Sequence, residues 1–106
     1  MNPFRGLVVR SSAAPTVEID PTCHSAYVRF KTARVRRTIA NNGPRTVVTV
    51  DLDARGKVIG VELVGVREFS IASIRHHLPA PLKQVNLERA RFVPATAESP
   101  RALVPA

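Results

Sequence analysis

The chain has 106 residues, which is the length of a single domain. Of these residues 44% are apolar, which is enough for a hydrophobic core. Its 16 Lys and Arg residues against eight Asp and Glu residues give a net charge of +8, which points to nucleic acid or an acidic partner. No apolar run approaches the ~20 residues of a membrane span and no early segment reads as a signal peptide, so we expect a cytoplasmic protein without membrane contact. The single cysteine, Cys23, excludes an internal disulfide and a thiolate zinc cluster.

The nine prolines are concentrated towards the two ends of the chain, and their positions predict the limits of the folded part. We expect a flexible N-terminal arm over residues 1–15 and a single β-rich domain with a helix over residues 16–78. Residues 79–106 form a proline-rich C-terminal extension, with room for one further short element between residues 82 and 93 before a disordered tail.

The first half of the domain predicts three strands. Residues 16–19 are an extended start that Asp20 and Pro21 close with a turn. Residues 25–31 alternate, with Ala26, Val28 and Phe30 on one face and Tyr27, Arg29 and Lys31 on the other. Residues 34–40 predict a further strand, which the turn signal NNGP at residues 41–44 ends.

The stretch TVVTVDLDARGKVIGVELVG, residues 46–65, predicts a β-hairpin. A four-residue loop would begin at Asp53, whose side chain accepts from backbone amides, and would end at Gly56 in the left-handed conformation. This loop sets Val50 opposite Ile59 and places Val48, Val50, Ile59, Val61 and Leu63 on one face. Gly60, inside a strand, indicates a bulge or a close neighbour.

A short helix follows the hairpin. Ser70 is placed to cap its free amides, and the apolar stripe has the spacing of one helical face until Pro79 ends it. Together the elements predict an α+β fold: a small antiparallel β-meander of four to five strands, with one short helix packed on one face. Because one short helix covers such a sheet incompletely, the remaining apolar surface and open edges favour a homodimer.

Two stretches resemble a known family. Residues 19–30, IDPTCHSAYVRF, and residues 50–63, VDLDARGKVIGVEL, resemble the small bacterial proteins grouped as domain of unknown function 2283. Their pattern has a Tyr-Asp-Pro opening, an Asp-Ala-Leu-Tyr strand and an Asp-Leu-Asp-x-x-Gly-x-Val-x-Gly-Ile-Glu hairpin; here His24 replaces a common acid and Ala26 the usual Leu. The resemblance implies a small antiparallel sheet with a helix, no established activity, and, from toxin-like neighbours of some relatives, an antitoxin-like role.

Several acids, with Cys23 and His24, have structural rather than catalytic or metal-binding interpretations. Asp51 and Glu62 lie about 13 Å apart in the predicted register, at ~3.3 Å per residue, and are interpreted as exposed acids. Cys23 and His24 are adjacent and would point apart in an extended chain, so with Asp20 they do not predict a metal site. No residue pattern predicts catalysis or a cofactor.

One basic segment supports a more specific hypothesis about binding. No acid occurs between residues 21 and 50, and two neighbouring strands can form a cationic patch for nucleic acid or an acidic partner, with Tyr27 stacking on a base. The residues of this patch are Tyr27, Arg29, Lys31, Arg34 and Arg36. We expect a non-enzymatic binding or assembly module that interacts with a protein partner or with itself. The alternatives are a nucleic-acid-binding protein that uses this patch, and an antitoxin-like partner of a small toxin.

Overall fold

The computed structural model describes residues 3–9 and 14–96, and these confirm the predicted α+β class with one short helix. The strands form one open sheet in the order β3-β4-β5-β2-β1-β6, and a 3-10 turn, Ala80–Leu82, follows the helix. In chain order the elements are β1 (Thr16–Asp20), β2 (Ser25–Arg29), β3 (Arg37–Asn42), β4 (Val47–Leu52), β5 (Val58–Val64), α1 (Ile71–His77) and β6 (Arg91–Pro94).

The strand order differs from a simple meander. The β1–β2 pair and the β3–β4–β5 meander are joined through antiparallel pairing of β2 with β5. The sixth strand comes from the proline-rich extension, where β6 pairs in parallel with β1. Its position at the sheet edge explains how a strand can end in Pro94, which has no amide hydrogen to donate to a neighbour.

The β3 strand lies three residues later than the predicted start and includes two residues assigned to the turn. Asn41 pairs with Val48 and Asn42 with Val47. The turn is correspondingly shifted, and the amide of Gly43 donates to the carbonyl of Thr46 at 3.1 Å. Pairing with β4 therefore overrides the turn preference of the two asparagines.

The predicted register of the β4–β5 hairpin is wrong. The amide of Asp53 donates to the carbonyl of Lys57 at 2.9 Å, which leaves a loop of three residues instead of four. A β-bulge then leaves Ile59 unpaired, because Leu52 pairs with Val58 while Asp51 pairs with Gly60. The shorter loop and the bulge together shift the pairing by two residues.

A shift by two preserves which side chains share a face, because side chains alternate with a period of two. Val50 now pairs with Val61 and Val48 with Leu63, all on the apolar face. The predicted face is thus retained for Val48, Val50, Val61 and Leu63, but at the bulge Val58 belongs to the apolar core and Ile59, predicted to lie there, does not.

The core lies between the apolar face of the sheet and α1 with the segment that follows it. Ile74 of α1 is fully buried there, and Leu82 and Leu87 extend the cover beyond the helix. Phe4, from the region predicted as a flexible arm, is 3% exposed and belongs to the same core. Within residues 3–9 and 14–96, the exposed large apolar side chains are Val8, Val35 and Phe92. The described residues therefore do not leave the broad apolar surface on which the expectation of a homodimer was based.

The helix begins and ends as predicted. The Ser70 hydroxyl accepts from the amide of Ser73 at 3.1 Å, and Leu78 is the last capping residue before Pro79. None of the helices in the described part of the chain is long and apolar enough to cross a membrane.

Candidate functional site

Tyr27 is buried, so the prediction that it lies exposed on the outer face is wrong. Its exposed fraction is 3%, and its hydroxyl donates to Asp51 Oδ2 at 2.8 Å. The ring passes over Gly60, where an added Cβ would lie 2.4 Å from a ring carbon. The guanidinium of Arg29 lies 5.1 Å from the ring centroid. Tyr27 is therefore not available to stack on a base, and the expected close neighbour of Gly60 is confirmed.

Asp51 is also buried, which contradicts its interpretation as an exposed acid. It is 1% exposed, and its Oδ1 accepts from the Thr38 hydroxyl at 2.8 Å while its Oδ2 accepts from Tyr27. The register explains this arrangement: Asp51 and Arg29 both stand opposite Gly60, whose missing side chain lets the tyrosine cross β5.

These contacts continue along the sheet from β2 to β1. Arg29 forms a salt bridge with Glu18, with Nη2 2.9 Å from Oε2. A chain of polar contacts, here called the polar chain, thus crosses the sheet through Glu18, Arg29, Tyr27, Asp51 and Thr38. Because one oxygen of Asp51 accepts a hydrogen bond from neighbouring β3 and the other accepts one from β2, across β5, the polar chain joins several strands and leaves Asp51 poorly placed for acid-base chemistry.

Lys31 is likewise engaged within the chain. Its ammonium pairs with Asp53, and the other oxygen of that carboxylate accepts from the amides of Arg55 at 2.8 Å and Lys57 at 2.9 Å. These hydrogen bonds lower the pKa of Asp53 to about 2, and the one from Lys31 has the largest effect. The turn role predicted for Asp53 is confirmed, as is the left-handed conformation of Gly56, with φ of 76°.

The two remaining cations of the predicted patch are exposed and are joined by a third. Arg34 and Arg36 lie in the segment between β2 and β3, and Arg55 lies in the β4–β5 loop. With Asp53 and its neighbours they line a shallow depression of about 270 Å³. We call these three residues the arginine cluster; none of them forms a salt bridge with a residue that the structure describes.

Arg55 was missed because it is separated in sequence from the other two. Its only sequence signal was its position in the hairpin loop, and that loop reaches the β2–β3 segment because β5 pairs with β2. The structure thus replaces the predicted five-residue patch with a smaller cluster at one end of the sheet.

The arginine cluster borders an open sheet edge. In the described sheet β3 is an outermost strand, five of its six residues are exposed, and after Arg37 it carries no charged residue. The opposite edge, β6, has four residues and ends in Pro94. Charges, prolines and shortness protect sheet edges from pairing with other chains, so β3 is the less protected of the two edges.

The Asp20, Cys23 and His24 group has a turn-forming role. Asp20 Oδ1 accepts from the amide of Cys23 at 3.2 Å, and the Asp20 carboxylate raises the pKa of the exposed Cys23 thiol. Over residues 3–9 and 14–96, no group of three or more His, Cys, Asp or Glu side chains is arranged to hold a metal ion.

No protein-family description, curated protein or solved structure matches this chain. The resemblance to domain of unknown function 2283 therefore stays a prediction that rests on the two quoted stretches.

Proposed function

We propose that the chain is a non-enzymatic binding module that accepts an extended segment of an acidic protein partner on the edge of β3. The observation that carries the proposal is the exposed edge of β3, uncharged from Thr38 to its end. Such an edge offers a row of amide and carbonyl groups with which an added strand pairs, and side-chain contacts then supply the specificity.

The acidic character of the partner follows from the charges around the edge. Arg37 begins β3, and the arginine cluster lies next to it in sequence and space. Guanidinium groups bind carboxylates through two parallel hydrogen bonds, and a net charge of +8 accelerates the encounter with an acidic partner.

A second copy of the chain fits this edge less well. The charged residue of β3 is Arg37, and β3 carries no carboxylate to pair with it, so a second β3 strand would leave the arginines at this edge without an acidic partner. An antitoxin-like role fits the proposal only for a toxin with an acidic surface, because a basic toxin would be repelled.

Nucleic acid is the alternative partner for the arginine cluster. Arginines bind phosphates as well as carboxylates, but Tyr27 is buried and offers no stacking surface. Nucleic-acid binding would therefore rest on charge alone, whereas a protein strand would also use the β3 edge.

The test compares three labelled probes by fluorescence anisotropy with the purified full chain: a peptide of alternating Glu and Val, a peptide of alternating Lys and Val, and a single-stranded DNA oligonucleotide. We expect the Glu-Val peptide to bind and to slow amide exchange in residues 37–42. Replacing two exposed arginines, Arg34→Gln with Arg36→Gln, should weaken this binding by about five- to tenfold.

The matched control is Arg89→Gln with Arg91→Gln, which removes the same charge at the opposite edge and should change the affinity less than about twofold. Tight DNA binding that falls steeply with salt, with no binding of the Glu-Val peptide, would establish the nucleic-acid alternative. Concentration-dependent dimers with protected β3 amides would instead establish self-association.

A further inference from the structure

A pocket of about 590 Å³ lies at the other end of the sheet, where β4 begins and β5 ends, and nothing above assigns it a role. Four separate parts of the chain line it: the β1–β2 turn, the β3–β4 turn, the segment after β5, and α1. Its lining side chains include His24, Arg45, Thr46, Arg67, Glu68 and His77. We call it the basic pocket.

Backbone contacts hold the basic pocket in shape. Gly65 has φ of 101°, and a Cβ there would lie 2.2 Å from the carbonyl oxygen of Arg45, so only glycine allows this close approach. The amides of Gly65 and Val66 both donate to the carbonyl of His24, at 2.8 and 2.9 Å. His24 itself has φ of 51°, a left-handed conformation that is uncommon outside glycine. Three lining segments are therefore fixed to one another without a ligand.

The groups in the basic pocket favour an anion. Arg45 and Arg67 each bring a guanidinium, and neither forms a salt bridge with any residue in the described ranges. Thr46 Oγ1 lies 3.5 Å from His77 Nδ1, so a hydroxyl and an imidazole stand side by side. Among the described residues that line the pocket, Glu68 is the one carboxylate.

The imidazole of His77 adds a neutral hydrogen-bonding group. Burial, together with the charges of His76 and Lys83, lowers the pKa of His77 and so favours the neutral ring. A bound anion would favour the imidazolium and raise that pKa. The titratable and charged side chains that line the pocket with His77 include His24, Arg45, Arg67 and Glu68, and the charges of His76 and Lys83 act on its ring.

We propose that the basic pocket binds a small phosphate monoester that also carries hydroxyl groups, the chemical class of a sugar phosphate. Two guanidinium groups suit the oxygens of a phosphate, and Glu68 would accept from a hydroxyl of the organic part. Pockets of ~300 to 1,000 Å³ hold small organic molecules, so inorganic phosphate would leave most of this volume unused. The six residues of β4 separate the basic pocket from the arginine cluster by about 20 Å, at ~3.3 Å per residue.

The experiment records NMR spectra of the full chain with four probes: ribose 5-phosphate, ribose, inorganic phosphate and citrate. We expect ribose 5-phosphate to bind most tightly, to shift the amide signals of Gly65 and Val66, and to raise the pKa of His77. Arg45→Gln and Arg67→Gln should each weaken binding about fivefold or more, whereas Arg34→Gln with Arg36→Gln should leave it unchanged.

The Glu68→Gln variant keeps the test informative if an arginine variant fails to fold. Removing the charge of Glu68 should tighten the binding of inorganic phosphate and reduce the preference for ribose 5-phosphate over inorganic phosphate. The proposal would be overturned if citrate bound as tightly as ribose 5-phosphate, or if the arginine-cluster variant lost as much affinity as the pocket variants. It would also be overturned if neither phosphate probe bound at about 10 mM, roughly the weak limit of specific binding. Because the arginine cluster is tested separately, failure here does not affect the proposed strand-binding function.

Discussion

The two faces of the sheet both bury side chains, but they use different chemistry. On the apolar face, Val50, Val61 and Leu63 are fully buried under α1 and the segment after it. On the opposite face, Tyr27 and Asp51 are almost as deeply buried, and their hydrogen bonds join β2, β4 and, through Thr38, β3. Alternation of apolar and polar residues therefore separates the faces without showing whether the polar face is exposed to water. The following substitutions test how far the two faces contribute equally to stability.

The largest effect is expected on the apolar face. Leu63→Ala removes a fully buried side chain and leaves a cavity, so we expect the free energy of unfolding to fall by about 2 to 5 kcal/mol. Urea unfolding followed by circular dichroism measures this loss. A loss below about 1 kcal/mol would mean that the face is less tightly packed than the burial indicates.

On the polar face, Gly60→Ala should lower the free energy of unfolding by nearly as much, although it adds only one methyl group. The new Cβ would lie 2.4 Å from the Tyr27 ring, which must move and release its hydrogen bond to Asp51. We expect a loss of about 2 to 4 kcal/mol, larger than the small entropic gain from replacing glycine. The control is the same substitution in a Tyr27→Ala background, where the steric conflict is absent; an equal loss there would contradict this explanation.

Tyr27→Phe should have a smaller effect because the ring stays and one hydrogen bond is lost. Asp51 Oδ2 then lacks this donor in a buried position, which costs about 1 to 3 kcal/mol. A double-mutant cycle with Asp51→Asn isolates the contact. A coupling energy near zero would mean that Tyr27 stabilises the face by packing alone.

The smallest effect concerns Asp53, the partly exposed acid that contrasts with buried Asp51. Its pKa of about 2 in the folded chain lies below the ordinary value of 3.8. The stabilisation that its charged form provides is therefore complete above about pH 4 and is lost as the pH falls towards 2. Asp53→Asn should therefore flatten the stability profile between pH 4 and pH 2. Lys31→Met, which removes the main cause of the lowered pKa, should flatten it in part; an unchanged profile in both variants would contradict this assignment.

Local features were predicted well where a residue acts on its neighbours in sequence, except at Asn41 and Asn42, which pair in β3 instead of forming the turn. Asp53 and Gly56 form the hairpin loop, Ser70 caps α1, and Pro79 follows its end. The arginine cluster was predicted only in part, because Arg34 and Arg36 lie in one segment while Arg55 reaches them through the pairing of β2 with β5. The basic pocket was not predicted, because its lining side chains come from four distant segments.

The sequence by itself determined the α+β class, most of the apolar face and the turn roles of Asp53 and Gly56, since these follow from periodicity and from the preferences of single residues. Only the tertiary structure decided the bulge at Ile59, the burial of Asp51 under Tyr27 and the addition of β6 to the sheet. The physical reason is that each of these depends on which strands become neighbours. Gly60 is the clearest case: its missing side chain matters only because the ring of Tyr27, 33 positions earlier in the sequence, crosses it.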